Sequence, residues 1–243
     1  MALKKKSKIE LSAVILAAGS SERFCGDKLS ANIGGVSVLE RTLSVFEESP
    51  EVDEIILVAR SAHINEVKEI TSKMKLTKLE KIVAGGNTRQ QSAYIGLETA
   101  SPTSKYIAIH DAARCLVTPE IIRAVLCDAK RCRAATAAHH VTDTVKYANV
   151  RGYIQNTINR DFVWLVSTPQ IFLTNLYRAA AYTAVKDGFE GTDDCSLAER
   201  LGFEVRLTEV GADNIKITFQ DDILRAEEIL RRRENKPSVR EGG

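Results

Sequence analysis

The sequence predicts an α/β protein: a Rossmann-like, mostly parallel sheet with helices on both faces and one inserted β-arm. Three observations lead there. Short apolar runs alternate with amphipathic stretches of helical spacing along most of the 243 residues, the rhythm of βαβ units. Several of those runs are continuously apolar, as strands buried on both faces are. The rhythm breaks once, between residues 134 and 170, where short β-branched segments surround a turn at Asn149 to Gly152.

The elements follow in order. LSAVIL (residues 11–16) is the first strand, and it ends in the small residues Ala17, Ala18 and Gly19. A polar loop carrying Arg23 and Lys28 runs to Gly34-Gly35; a loop of this length in a compact domain is usually functional or disordered. VSVLERTLSVFEES has Val38, Leu39, Thr42, Leu43 and Phe46 at helical spacing and stops at Pro50. EIILVAR is a buried strand, HINEVKEITSKMKL a helix, KLEKIVAG a strand, and GGNTRQQSAYIGLETA a turn opening a helix. SKYIAIHDAAR is strand then turn. TPEIIRAVLCDAKRC is a helix with Thr118 as N-cap and Pro119 at its first position.

A two-stranded excursion is only marginally stable alone, so the arm, at about 139–162, is expected to pack on another chain. Beyond it, IFLTNLYRAAAYTAVKDG and TDDCSLAERLG read as helices, the second capped by Thr192. EVRLTEV and NIKITF read as strands and QDDILRAEEILRRRE as the closing helix. With no internal repeat and no linker, residues 1–243 are expected to form one domain plus the arm.

Composition excludes several classes. Apolar residues make up 44% and charged residues 27%, as in globular proteins, and no apolar run approaches the roughly 20 residues that cross a bilayer. A net charge of +2 provides no field to draw in nucleic acid. Five cysteines without a C-x-x-C pair fit neither a disulfide framework nor a zinc site; Cys127 and Cys132 are expected to be small helix-packing residues. The basic start MALKKKSKIE lacks a signal-cleavage pattern, and a cytoplasmic protein with a short frayed leader is expected. Neither the dinucleotide fingerprint nor the Walker pattern occurs, which disfavours a nicotinamide dehydrogenase and a P-loop kinase.

In a parallel sheet, ligands sit beyond the carboxyl ends of the strands. Arg23 and Lys28 follow the first strand, Asn87, Arg89 and Ser92 the third, and Asp111 and Arg114 the fourth. Thr192, Asp193 and Asp194 open a late helix, and Lys216 lies in a β-branched run, facing either solvent or a phosphate. Asp111 is placed either to hold Mg²⁺, which takes one or two protein oxygens plus substrate phosphates, or to cap a turn. His110 reads as a hydrogen-bonded structural side chain, and His139-His140 as a poor metal pair. No nucleophile motif is present, so cations and carboxylates at strand ends fit phosphoryl or nucleotidyl transfer between bound substrates.

The ordered set LAAGSSERF, VLERTL, VAGGNTRQQSAYIGL, HDAAR, VTDTVK, INRDFVWLVSTPQIF, TDDCSLAERLG and NIKIT resembles the 2-C-methyl-D-erythritol 4-phosphate cytidylyltransferases of the non-mevalonate isoprenoid pathway. The resemblance spans about residues 12–231. It implies that Ala17, Ala18, Gly19, Gly86, Asn87 and Ser92 contact the cytidine of CTP. Arg23, Lys28 and Lys216 then stabilise the triphosphate and the transition state. Asp111 is the Mg²⁺-associated aspartate and lies with Arg114 near the second substrate, as does Thr192. Thr144 and Arg160 match arm residues that bind methylerythritol phosphate from the partner subunit of a homodimer. The implied reaction is attack of the acceptor's phosphate oxygen on the α-phosphorus of CTP, with pyrophosphate leaving and no general base needed.

The opening loop departs from the family: Ser21-Glu22 replaces a second glycine before the arginine, Asp27-Lys28-Leu29 replaces Pro-Lys-Gln, and the loop is about two residues short. Cys115 stands where a proline usually follows HDAAR. Lys28 is accordingly assigned by alignment, and residues 20 to 30 are expected to be mobile without CTP. Two rival readings stay open at this point: a ribitol 5-phosphate cytidylyltransferase, against which Ala113 speaks, and a catalytically weak CTP-binding relative.

Overall fold

A computed structural model of the chain describes residues 9–19, 22–24 and 26–235. The opening apolar run forms β1 (Leu11–Ala17), buried along its whole length. The loop after it is not structureless. It contains a 3₁₀ turn at Glu22–Phe24 and a hairpin of β2 (Asn32–Ile33) with β3 (Val36–Ser37). Gly34 and Gly35 both have positive φ, 56° and 87°, which a tight two-residue hairpin turn demands and glycine supplies without strain. The expected mobility of residues 20–30 falls partly on Ser20, Ser21 and Cys25, and the expected leader and tail on residues 1–8 and 236–243; these lie outside the described residues.

Helix α1 (Val38–Glu48) buries the five residues that its spacing picked out, Val38, Leu39, Thr42, Leu43 and Phe46. Its N-cap Ser37 forms a reciprocal capping box with Glu40, a signal present in the sequence as S-V-L-E. There follow β4 (Glu54–Ala59), α2 (Ile64–Lys73), β5 (Leu79–Ala84), α3 (Arg89–Thr99), β6 (Tyr106–Asp111) and α4 (Pro119–Cys132). Thr118 caps α4 by accepting from the Ile121 amide, with Pro119 in the first turn, as the sequence indicates. Cys127 and Cys132 are exposed, so the expectation that they pack the helix is wrong: both stand off the stripe formed by Ile121, Ile122, Val125, Leu126 and Ala129.

The broken stretch is only partly an arm. Its flanks are β7 (Ala134–His140) and β10 (Trp164–Leu173), both members of the main sheet. Only β8 (Val145–Ala148) and β9 (Ile154–Ile158) form a separate two-stranded ribbon, closed by a turn in which the Gly152 amide donates to the Asn149 carbonyl. Ile171 to Leu173, expected at the start of a helix, instead extend β10, because two neighbouring strands pair with them; α5 (Thr174–Lys186) begins only afterwards. After α6 (Asp194–Arg200) and β11 (Arg206–Glu209) the chain ends in α7 (Asp221–Glu234).

The sheet order is β11-β7-β10-β6-β1-β4-β5, with only β10 antiparallel to its neighbours. Successive side chains along the strands point to opposite faces and feed two cores. Leu11, Ile15 and Leu57 pack against Leu43, Phe46 and Val125 on one face. Val14, Ile56, Ile109 and Phe172 pack against Leu97, Tyr177 and Leu197 on the other. Each fully buried Leu or Phe contributes about 1.5–3 kcal/mol. A third cluster, Phe24, Ile33, Val38, Cys115, Leu116, Ile217, Ala226 and Ile229, fastens α7 beneath the opening loop. Among the described residues no helix is long and apolar enough to cross a membrane.

Chain direction fixes where a site can form. From β1 the chain winds outward through β4 and β5, then returns across β1 to build β6 on its other side. The register sets Leu16 beside both Val58 and Asp111, so the carboxyl ends of these strands share one edge, and the reversal leaves a crevice there.

Candidate active site

A cleft of about 740 Å³ opens at that edge. Its floor is the end of β1, Leu16 to Gly19, and its walls come from the loops after β4, β5 and β6 and from the segment before α7. Of the residues singled out in the sequence, it gathers Ala17, Ala18, Gly19, Arg23, Lys28, Gly86, Asn87, Arg89, Ser92, Asp111 and Lys216. Arg60, Thr88 and Thr218 also line it.

The loop after β5 is built for close approach. A Cβ on Gly85 would come within 2.6 Å of the Ala18 methyl and 2.7 Å of the Ser92 hydroxyl. Ser92 is buried, accepts from the Gly86 amide at 3.2 Å and donates to the Thr88 carbonyl at 3.0 Å. The Asn87 amide donates to Gln91 Oε1 at 2.8 Å. Ser92 therefore shapes the loop whose backbone faces the cleft.

Asp111, the last residue of β6, is the charged centre. Its Oδ1 accepts from Arg89 Nε at 3.0 Å and its Oδ2 from Lys216 Nζ at 2.6 Å. Arg89 reaches on to Asp194 with a second nitrogen at 2.7 Å, and Tyr177 donates its hydroxyl to the other oxygen of Asp194 at 2.5 Å. Burial alone would raise the Asp111 carboxyl, but Arg89, Lys216 and Arg114 outweigh it and hold it well below the usual carboxylate range. Burial likewise opposes the charge on Arg89, and the two carboxylates more than compensate. Asp111 thus makes no side-chain cap; it anchors cations on two sides.

Lys216 faces the cleft, but not from a strand. Residues 214–218 join no strand ladder, because their partners are turn residues: the Ile217 amide donates to the Ala113 carbonyl, and Arg114 donates to the Asn214 carbonyl at 2.8 Å. Asn214 Nδ2 in turn donates to the Thr168 carbonyl at 2.8 Å. These bonds deliver the lysine to Asp111.

Five cations, Arg23, Lys28, Arg60, Arg89 and Lys216, line the cleft against one carboxylate among the described residues. The imbalance is felt by Lys28: burial, Lys216, Arg23 and Arg60 lower its affinity for a proton, against the pull of Asp111. Such a cleft favours a polyanion. His110 is fully buried between Thr168 Oγ1 at 3.1 Å and the Arg114 carbonyl at 3.3 Å. Burial, with Arg114 and Arg89 nearby, brings its pKa down to about 3, so it is neutral at working pH and structural, as its sequence context indicates.

Four candidates lie elsewhere. Arg114 stands behind Asp111 with its Nε buried and without a hydrogen bond. Thr192 is exposed and is not the cap of α6: Asp193 is, because its carboxylate accepts the Ser196 amide at 3.0 Å. Thr144 and Arg160 are on the exposed arm, Arg160 donating to the Thr142 carbonyl at 2.6 Å. Sequence reasoning passed over Arg60, although it follows β4 just as Arg23 follows β1; it donates to the Gly19 carbonyl at 2.6 Å. It also passed over Gln170, whose side chain accepts the Asp194 and Cys195 amides and donates to Asp193.

Asp111 fits a hard divalent ion of the kind that borrows most of its ligands from substrate phosphates: it offers at the cleft a carboxylate that the neighbouring cations keep ionised at neutral pH. Among the described residues no group of three or more His, Cys, Asp or Glu could hold a metal without such help.

Comparison with known proteins bears on what this cleft does. Residues 11–232 match the family model of 2-C-methyl-D-erythritol 4-phosphate cytidylyltransferase. The chain is 39% identical over 227 residues to the enzyme of that name from Caldanaerobacter subterraneus, covering 92% of this chain and 100% of the relative. It is 40% identical over 224 residues to that of Dehalococcoides mccartyi, covering 92% and 97%. The crystal structure of 4-diphosphocytidyl-2C-methyl-D-erythritol synthase from Anaerococcus prevotii superposes with a TM-score of 0.83 at 32% identity, over 92% of this chain and 97% of that one. The cytidylyltransferase of Thermus thermophilus gives 0.75 at 32% identity, over 92% and 100%.

Proposed function

Since the chain belongs to the 2-C-methyl-D-erythritol 4-phosphate cytidylyltransferase family, we propose that its cationic cleft takes the triphosphate of CTP and that the surrounding residues carry out cytidylyl transfer. The reaction transfers CMP from CTP to 2-C-methyl-D-erythritol 4-phosphate, giving 4-diphosphocytidyl-2-C-methyl-D-erythritol and pyrophosphate, a step in isoprenoid precursor synthesis. The observation that carries the reading is the five-to-one excess of cations over carboxylates, among the described residues, at the carboxyl edge of a mostly parallel sheet.

The chemistry needs little more than placement and charge. The acceptor phosphate is already a nucleophile, and the neutral, enclosed His110 agrees with the lack of a general base. What must be overcome is repulsion between anions: two unit charges 4 Å apart repel by about 4 kcal/mol at an effective dielectric near 20. Arg23, Lys28 and Lys216 offset this and the charge that builds on the five-coordinate phosphorus. The loops at Ala17 to Gly19 and Gly86 to Ser92 receive the cytidine. Mg²⁺, held by Asp111 together with CTP phosphates, would add Lewis-acid neutralisation. Asp111 borders the acceptor, and Arg114 supports it from behind.

The pyrophosphate assay is decisive. With CTP and Mg²⁺, release is expected with methylerythritol 4-phosphate and not with ribitol 5-phosphate; release with ribitol 5-phosphate alone, or with neither, would overturn the reading.

The acceptor pocket is completed, on this reading, by the arm of a second copy in a homodimer. In support, Thr144 and Arg160 do not line the cleft of their own chain, and the arm exposes Tyr147, Tyr153 and Ile154, with Phe162 at its base 82% exposed. Mixing inactive Arg160→Ala with inactive Lys216→Met chains should restore activity, because half of the hybrid's sites then have both residues. A monomer in sedimentation at micromolar concentration, or mixtures that stay inactive after subunit exchange, would sink the arm proposal. The four cysteines among the described residues are all free, which agrees with a reducing compartment, and we place the enzyme in the cytoplasm.

A further inference from the structure

Arg23 sits on a three-residue 3₁₀ turn at the mouth of the cleft, and something must hold it there. The attachments come from the far end of the chain. The Phe24 side chain is buried against Ile217, Ala226 and Ile229. The Phe24 carbonyl accepts a hydrogen bond from Gln220 Nε2 at 2.9 Å, across 196 residues of sequence. The Arg23 guanidinium lies 5.8 Å from the centroid of the Phe219 ring, within cation–π range.

Gln220 is at the N-cap position of α7, yet its side chain makes no capping bond. Asp222 does the local work instead, accepting the Thr218 and Phe219 amides at 2.7 and 2.8 Å. The Gln220 donor is thereby free for the opening loop. Phe219 is 53% exposed, so core packing does not account for its aromatic ring, whereas the cation beside it does. The same short segment presents Lys216 to Asp111. One stretch, residues 216–222, therefore supplies one cation of the site, Lys216, and contacts another, Arg23.

We propose that Gln220 and Phe219 are positioning residues that pre-set Arg23 for the triphosphate, an inference that rests on the CTP reading above. A flexible arginine loses rotamer freedom when it engages a ligand, and a side chain held in advance loses less. The hydrogen bond should be worth roughly 2- to 10-fold in CTP affinity and the ring contact roughly threefold.

The test is calorimetric titration of CTP with Mg²⁺ into the full chain and into Gln220→Met, which keeps size without a donor, Phe219→Leu, which keeps bulk without a π face, and their combination. Each is repeated in an Arg23→Ala background, with thermal unfolding of every variant. The combined variant should bind CTP roughly tenfold more weakly with its Tm unchanged, and this loss should vanish once Arg23 is absent. Unchanged CTP affinity, or the same loss without Arg23, would overturn the proposal. Binding does not depend on turnover, so failure of the pyrophosphate assay would count against the reaction alone.

Discussion

Lys216→Met is expected to lower kcat for CMP transfer by roughly 10²- to 10³-fold, the loss usual for removal of one fixed donor from a site of developing charge. The effect should fall more on kcat than on the KM for CTP. Arg23, Lys28, Arg60 and Arg89 remain to attract the triphosphate, whereas the charge on the reacting phosphorus appears only in the transition state. Lys216→Arg should restore little: the ammonium is a point charge 2.6 Å from Asp111, and a planar guanidinium cannot occupy that place with the same geometry. The fold should survive, because Arg89 still pairs with Asp111. Steady-state kinetics decide: a kcat within threefold of the parent would mean that Lys216 serves only to hold Asp111.

The second large effect is on stability. Arg89→Met would remove the cation that bridges Asp111 and Asp194, the latter side chain only 1% exposed. Stranding a buried charge in this way costs about 3 kcal/mol or more, and in a chain of this size each kcal/mol lowers Tm by about 2–4 °C. Adding Asp194→Asn to Arg89→Met should recover part of the loss, since the uncompensated charge is then gone.

The pH dependence follows from Asp111. Its folded carboxyl is held below its unfolded value of about 3.9, so its stabilising contribution is complete above that pH and is lost as the pH falls towards the folded value. Without Arg89 the depression shrinks. The stability gap between parent and variant should therefore be full at pH 7 and should narrow below about pH 4. Equal Tm at pH 7 would refute the bridge; a gap independent of pH would remove Asp111 from it.

Much of the architecture was legible because each signal is local. A continuously apolar run such as Leu11 to Leu16 has to be covered on both faces, and five apolar positions at helical spacing have one way to be buried in α1. Once the strands are parallel, residues just past their carboxyl ends share an edge, which is why Arg23, Lys28, Asn87 and Asp111 can be grouped from the sequence alone. The local signals failed where a distant partner decided. Ile171 to Leu173 fit a helix by themselves but have β6 and β7 on either side. NIKIT reads as a strand by composition, yet its backbone bonds go to the turn after β6. Thr192 is a good cap in isolation and loses to Asp193, which Gln170 also grips from β10.

By itself, then, the sequence determined the fold class, the edge on which the chemistry sits and the charge needed there, because periodicity and strand-end position depend on neighbours within a few residues. Only the tertiary structure decided how that charge is held. The Lys216–Asp111 and Arg89–Asp194 pairs each join residues 105 apart, and Gln220 reaches Phe24 across 196. Ion pairs and hydrogen bonds act over about 3 Å in space whatever the separation along the chain, so no local pattern records them.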